Sequence, residues 1–225
     1  MTREKFNEIK ERLAKYREIR HLTYENQQAE FLGNAFEKVS EYFRANNDLE
    51  KIDALCDIVI FCFNAFDFDY NYYYEFRSSN ESIEIYKLTD AISEVCYREI
   101  KKFYAESYIP LIISYCRFLI KNLGFDFYKC MIETIKEIES KNIGNYCEYE
   151  NKFYQMPGAY TLDEAYKLAF YRESNEPNLN GKTKPKFHKE NNIMWTFKYK
   201  SALGGDMELN FIKWYKADYE GCKLQ

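Results

Sequence analysis

The chain has 225 residues, 36 acidic against 32 basic side chains, a formal net charge of −4, and 46% hydrophobic residues with 19% aromatic. That length supports one substantial core or two small domains, and the apolar content excludes a disordered chain. The charge offers no general attraction to nucleic acid or to an acidic membrane.

Only eight Gly and four Pro argue for long helices over a turn-rich β-sandwich or barrel. The N-terminal stretch MTREKFNEIKERLAKYREIR is charged throughout and holds no secretory signal. The apolar run YIPLIISYCRFLI (108–120) is too short to span a bilayer and contains Arg117. Seven cysteines, an odd number with no CxxC pair, sit mostly in apolar helical contexts, as core residues of a reducing compartment do. A cytoplasmic protein without a membrane partner is expected, with no nucleic-acid partner.

In chain order, residues 3–20 read as a charged amphipathic helix. Residues 24–45 read as a second, with Phe31, Leu32, Ala35, Phe36, Val39 and Phe43 as its apolar stripe. Asn46-Asn47-Asp48 is a turn rich in N-cap residues, and a third helix follows over 49–66. The aromatic, acidic stretch 67–76 gives no clear assignment, and 77–80 reads as a loop. Helices fit 81–105 and 108–122, divided near Pro110, and another fits 126–141 after Gly124. Thr161-Leu-Asp-Glu164 is a capping box for a short helix over 162–172. Residues 174–191 are polar and read as a loop. IMWTFKYK (193–200) alternates like a strand, with 206–217 as its partner across Gly204-Gly205.

The most informative stretch is 37–66, where two helices carry Glu37 and Glu41, then Glu50, Asp53 and Asp57. The last three lie within about 60° of one another at 3.6 residues per turn. Like charges so spaced repel by a few tenths of a kcal/mol per pair. Asp57 also opens the apolar run DIVIFCFNAF, where an unpaired charge is costly. A divalent cation would relieve both penalties, and an all-oxygen set suits Mg²⁺, with Mn²⁺ the alternative. Each acid also has a plainer reading. Glu50 can close a capping box with Asn47, and Glu37 and Glu41 can be solvated acids relieved by Lys38.

These motifs resemble the all-α nucleoside triphosphate pyrophosphohydrolases, the MazG-like and phosphoribosyl-ATP pyrophosphohydrolase-like group. Glu50-Lys-Ile-Asp53 matches the second E-x-x-D motif, and Asp53-Ala-Leu-Cys-Asp57-Ile-Val-Ile-Phe is similar to the D-A-L-x-D run of its phage and bacterial branch. Glu37 and Glu41 match the outer acids of the first motif, with Lys38 where that group has an inner Glu. Glu137-Ile-Glu-Ser-Lys-Asn142-Ile-Gly-Asn145 is similar to the segment ending the fourth core helix, with Asn145 replacing a Lys for which Lys141 or Lys152 would substitute.

The resemblance implies an all-α protein with a four-helix core within 1–173 and a helical insertion at 67–123; it does not cover 174–225, which read from their own pattern as a small appendage of mixed loop and strand. It implies a Mg²⁺-dependent enzyme that hydrolyses an NTP or dNTP to monophosphate and pyrophosphate, working as a homodimer or homotetramer. Metal ligands would be Glu37, Glu41, Glu50 and Asp53, with Asp57 as a further ligand or a support. Glu41 or Glu37 would deprotonate the attacking water, and Lys141, Asn142, Asn145 and Lys152 would bind substrate. Two alternatives stay open: a MazG-like protein that binds nucleotide without turnover, and a helical protein-interaction module. Residues 141–160 are expected beside the acids. The appendage is expected to be peripheral, so that a chain ending near residue 173 keeps its activity.

The remaining features carry less. The lysines at 182, 184, 186, 189, 198 and 200 read as a solvated basic stretch rather than a phosphate site. His21 and His188 have no ligand-spaced partners, and Tyr70, Tyr72, Tyr73 and Tyr74 read as packing residues.

Overall fold

The structure, a computed structural model, describes the chain apart from residues 72–83, 101–104, 176–183 and 202. The described residues fall into two compact units, one of Met1–Ile135 with Ala217–Gln225 and the other of Lys136–Lys216. The protein is mostly helical, with two small sheets, so the all-α expectation holds for the first unit and is corrected in the second. No helix among the described residues is long and apolar enough to cross a membrane. None of the seven cysteines is in a disulfide.

The first unit is built on α1 (Arg3–Arg20), α2 (Tyr24–Arg44), α3 (Asp48–Ala65), α4 (Ile85–Ile100), α5 (Ile109–Asn122) and the start of α6 (Phe127–Ser140). Local chemistry sets the ends of these helices. Thr2 and Thr23 cap α1 and α2, and Thr23 closes a capping box with Asn26. His21, at φ 54°, ends α1 in the left-handed region, its N–H bonded to Glu18 O at 3.1 Å. Gly124, at φ 89°, ends α5 in the same way.

Helix α3 is apolar nearly all round: Ile52, Leu55, Cys56, Ile58, Val59 and Cys62 are fully buried. A helix with that pattern belongs at the centre of its unit, and α3 packs on α1, α2 and α5. Burying each of its large aliphatic side chains contributes about 1.5–3 kcal/mol. Its last carbonyls, which have no partner within the helix, are met by other elements. Buried Arg17 donates to Phe63 O at 2.9 Å and to Asn64 Oδ1 at 3.2 Å, and Gln28 donates to Ala65 O at 2.8 Å.

Helices α4 and α5, expected as an insertion, are part of this core. Leu88, Ile92, Val95, Ile112, Ile113 and Cys116 are buried, and the pair packs on α2 and α3. The tyrosines at 72–74 and the expected loop at 77–80 lie outside the described residues.

The C-terminal segment corrects the expectation of a peripheral appendage. Residues 217–225 belong to the first unit. Asp126 N donates to Cys222 O at 2.8 Å and Leu224 N to Gly124 O at 2.9 Å. Tyr219 and Cys222 are buried.

The second unit holds an unexpected hairpin, β1 (Gly144–Cys147) with β2 (Lys152–Gln155), and a four-stranded sheet. The sheet runs β3 (Gly158–Ala159), β6 (Asp206–Lys213), β5 (Met194–Lys200), β4 (Lys186–Glu190), with β3 parallel to β6 and the other pairs antiparallel. The β5–β6 hairpin is the one the alternation predicts. Trp195, Phe197 and Tyr199 on β5 and Leu209 and Phe211 on β6 form its core with Ala165 and Ala169 of α7 (Leu162–Asn175). Thr161 caps α7 as expected, its hydroxyl accepting from Glu164 N, while the Glu164 carboxylate accepts from Tyr160 N, one residue before the cap, instead of from the Thr161 N–H. Strand β4 corrects the loop expected there.

Gly158, like Gly144 on β1, has no room for a side chain. A Cβ there would lie 2.2 Å from Trp214 Nε1 and 2.8 Å from Ile212 O. Gly158→Ala is therefore expected to part β3 from β6 and cost the second unit about 1–3 kcal/mol. Urea unfolding followed by Trp fluorescence would show this, and an unchanged midpoint would contradict it.

Candidate functional site

Helices α2 and α3 are joined by three residues and pack along each other, so acids on facing turns can share a cation. They do. The Lys38 ammonium on α2 lies 2.8 Å from Glu41 Oε2 on its own helix and 3.0 Å from Asp57 Oδ2 on α3. These groups are half-buried, with Lys38 and Asp57 side chains 20% and 22% exposed.

One turn back from Asp57, Asp53 accepts a hydrogen bond at 2.8 Å from the hydroxyl of Tyr219. Tyr219 also lies 2.8 Å from Thr134 Oγ1. Tyr219 is a site residue that no local pattern singles out, because it meets Asp53 across 166 positions of sequence.

The electrostatics follow from this crowding. Burial, then the neighbouring charge of Asp53, pushes the Asp57 carboxyl up from 3.8 to about 6, with Lys38 pulling the other way. The Lys38 ammonium is held above its ordinary value: burial opposes its charge, but Asp57 and Glu41 outweigh that. Burial, then the negative surroundings, raises the Tyr219 phenol well above the ordinary range, so it stays a donor to Asp53.

Glu37 and Glu50 do not join this cluster. Glu50 accepts from Asn46 N at 2.7 Å and from Asn47 Nδ2 at 3.0 Å, while its own N–H donates to Asn47 Oδ1 at 3.0 Å. Asn47 therefore caps α3 as the turn predicts, and Glu50 reaches back to the residue before the cap and to the Asn47 side chain rather than to the Asn47 N–H, so the capping box is half formed. Glu37 is exposed on α2. Arg44, the nearest arginine in sequence, turns back to Ser40 O at 3.3 Å.

The expected substrate-binding residues lie in the second unit, whereas the acids lie in the first. Lys141 donates to Glu137 Oε1 at 2.7 Å and stands over the Tyr160 ring at 5.0 Å. Asn142 follows the end of α6. Asn145 is exposed on β1, and Lys152, exposed on β2, stands over Tyr154 at 5.2 Å. Lys198 and Lys200 pair with Glu208 and Asp206 on β6, at 3.3 and 2.7 Å.

A carboxylate set has the right donor chemistry for Mg²⁺, but its arrangement does not suit the ion. Among the described residues no three His, Cys, Asp or Glu side chains are grouped to hold a metal. The position shared by α2 and α3 is filled by the Lys38 ammonium, and Glu50 is engaged at the cap. No family model matches the chain, and no curated protein or solved structure matches it.

Proposed function

We propose that the α2–α3 acids are the site of a MazG-like nucleoside triphosphate pyrophosphohydrolase, acting on an NTP or dNTP with Mg²⁺. One observation supports this reading: acids from both helices address a single cation position, now occupied by Lys38. A bound Mg²⁺ would supply charge neutralisation for the triphosphate oxygens. It would have to exchange with the Lys38 ammonium, and the acids as placed do not form its shell, so no step is derived through it.

The chain's own contributions are clearer. In this reading Glu41, paired with Lys38 in the cluster, would orient or deprotonate a water, whereas Glu37 stands apart from it. Tyr219 fixes Asp53, and Lys38, once displaced, offers a cation to phosphate oxygens. Phe36 and Phe43, 41% and 64% exposed and seven residues apart on α2, offer an apolar face for the proposed homodimer.

Lys38 also favours a second reading, a protein that binds nucleotide without turning it over. Its ammonium bridges Glu41 and Asp57 at the position a metal ion would take. The deciding experiment incubates the full chain, and a Lys38→Glu variant, with a panel of NTPs and dNTPs plus Mg²⁺, and assays pyrophosphate. Metal-dependent release by the wild type supports the hydrolase. Release by the variant alone, with nucleotide binding by both, supports the second reading. No release and no binding by either overturns both.

A further inference from the structure

The four-stranded sheet ends at β4, and among the described residues no strand pairs with the far side of that strand. All five of its residues are exposed. A strand so placed presents backbone N–H and C=O groups with which a further strand can pair. The register fixes which side chains border that edge. Lys186 pairs with Lys198 and Phe187 with Phe197, and the pairing resumes with Lys189 opposite Thr196 and Glu190 opposite Trp195. His188 is the extra residue of a bulge. That insertion puts Lys186 and Lys189 on one face of the sheet, away from the face where the Phe187 ring stands 6.1 Å from that of Phe197. Their partners are two residues apart on β5, so the lysines stand about 7 Å apart along the strand, the spacing of alternate residues.

The charge on that face is not balanced. It carries Lys186, Lys189, Lys198 and Lys200 against Asp206 and Glu208. Both acids are taken, by Lys200 at 2.7 Å and Lys198 at 3.3 Å. Glu190, on the opposite face, accepts from Trp195 Nε1 at 3.1 Å and from Lys213 at 2.7 Å. Lys186 and Lys189 make no ion pair or hydrogen bond with a described residue. Beside Lys189 a cavity of about 290 Å³ opens, with Asn191, Thr196 and Asn210 in its lining. The Thr196 hydroxyl donates to Asn210 Oδ1 at 2.8 Å, and Asn191 Oδ1 accepts from Ile193 N at 2.8 Å. Amides held by their oxygens turn their N–H groups to a ligand, and donors beside a cation suit a carboxylate.

The chemistry of the edge selects its occupant. A second copy of β4 would set these lysines against the same lysines, and like charges directly opposed destabilise a strand pair. A nucleic-acid backbone carries phosphate acceptors without donors, and would leave the β4 carbonyls unmatched. An extended peptide offers both donors and acceptors, and side chains on alternate faces. We propose that β4 is a docking edge for an extended acidic segment of another protein. Its alternate acidic residues would meet Lys186, Lys189 and the cavity donors, while the apolar residues between them lie beside Phe187, which is 41% exposed. Main-chain pairing gives such a complex its affinity and the side-chain sites its specificity.

The test uses the full chain and a fluorescein-labelled peptide, Gly-Ser-Glu-Val-Glu-Val-Glu-Gly-Ser. Fluorescence anisotropy is expected to show saturable binding at least tenfold tighter than that of a peptide of the same composition with its three Glu in one block, or of oligothymidylate. Lys186→Met and Lys189→Met should each weaken it several-fold, while Lys15→Met, on α1, leaves it unchanged. Circular dichroism melts check that the variants fold. As a measurement independent of the variants, saturating peptide should slow amide exchange over 186–190 of the wild type and leave 194–200, already paired on both sides, unchanged. No saturable binding at millimolar peptide, or no loss of binding in either folded β4 variant, would overturn the proposal. Equal binding of the block peptide or oligothymidylate, or unslowed exchange over 186–190, would show attraction by charge without strand pairing and would overturn it too.

Discussion

Lys38→Met is expected to lower the stability of the first unit by about 2–4 kcal/mol at pH 8 and by much less at pH 5. The substitution keeps the apolar stem and removes the only ammonium that bridges Glu41 and Asp57 among the described residues. Asp57 is already raised to about 6 by burial and by Asp53, even with Lys38 beside it. A carboxyl raised in the fold keeps its proton in a pH range where the unfolded chain has lost it. Its ionisation therefore costs stability above about pH 6, and that cost fades as the pH falls from there toward 3.8. Removing Lys38 raises the folded carboxyl further, so the cost, which still begins near 3.8, keeps growing to higher pH before it levels off. Urea midpoints at the two pH values, with amide exchange at Ile52 and Val59 as the readout for α3, would measure it. Equal losses at both pH values would show that Lys38 acts through packing alone. If added Mg²⁺ restores the variant at pH 8, the acids accept a divalent ion once the ammonium is gone.

The second large effect is expected at the C-terminal segment. A chain ending at Lys216 should lose several kcal/mol in its first unit. Tyr219→Ala alone should cost about 3–5 kcal/mol, as truncation of a buried aromatic does, and Tyr219→Phe about 1.5–3 kcal/mol, for a hydrogen bond to a carboxylate. This replaces the expectation that a chain ending near residue 173 would keep its activity, because residues 217–225 pack with α3, α5 and α6 rather than at the periphery. Thermal melts of the three variants should rank truncation, Ala and Phe in falling severity. A truncated chain that melts like the wild type would refute the assignment of Tyr219 to the core.

What the sequence discloses and what it hides follow from the range of the forces involved. Helices α1 to α3 are legible because their apolar residues recur at helical spacing and because Thr23 and Asn47 are strong caps. The β5 strand is legible because Trp195, Phe197 and Tyr199 alternate with polar neighbours. The β1–β2 hairpin carries no such alternation, and β4 is exposed along its whole length, so only its pairing with β5 makes it a strand.

The site divides in the same way. Glu50's capping role is local and was one of two open readings. Asp57's discomfort in an apolar run was visible and is present. Sequence spacing pairs Lys38 with Glu37 and Glu41 on its own helix, whereas its second bond crosses to Asp57. Tyr219 was invisible, since nothing near Asp53 in sequence points to a phenol made so much later.

The return of residues 217–225 to the first unit also sets an order of events during synthesis. Helices α1 to α5 emerge first and can collapse, yet the hydroxyl that bonds to Asp53 does not exist until 136–216 have been translated. At about 5–20 residues per second that interval is roughly 4–16 s. Through it Asp57 can already pair with Lys38, but Asp53 lacks its Tyr219 donor. An acidic, unfinished helix pair of that kind is a natural client for chaperones, and the growing chain becomes fully protected from proteases only after its second unit has been made.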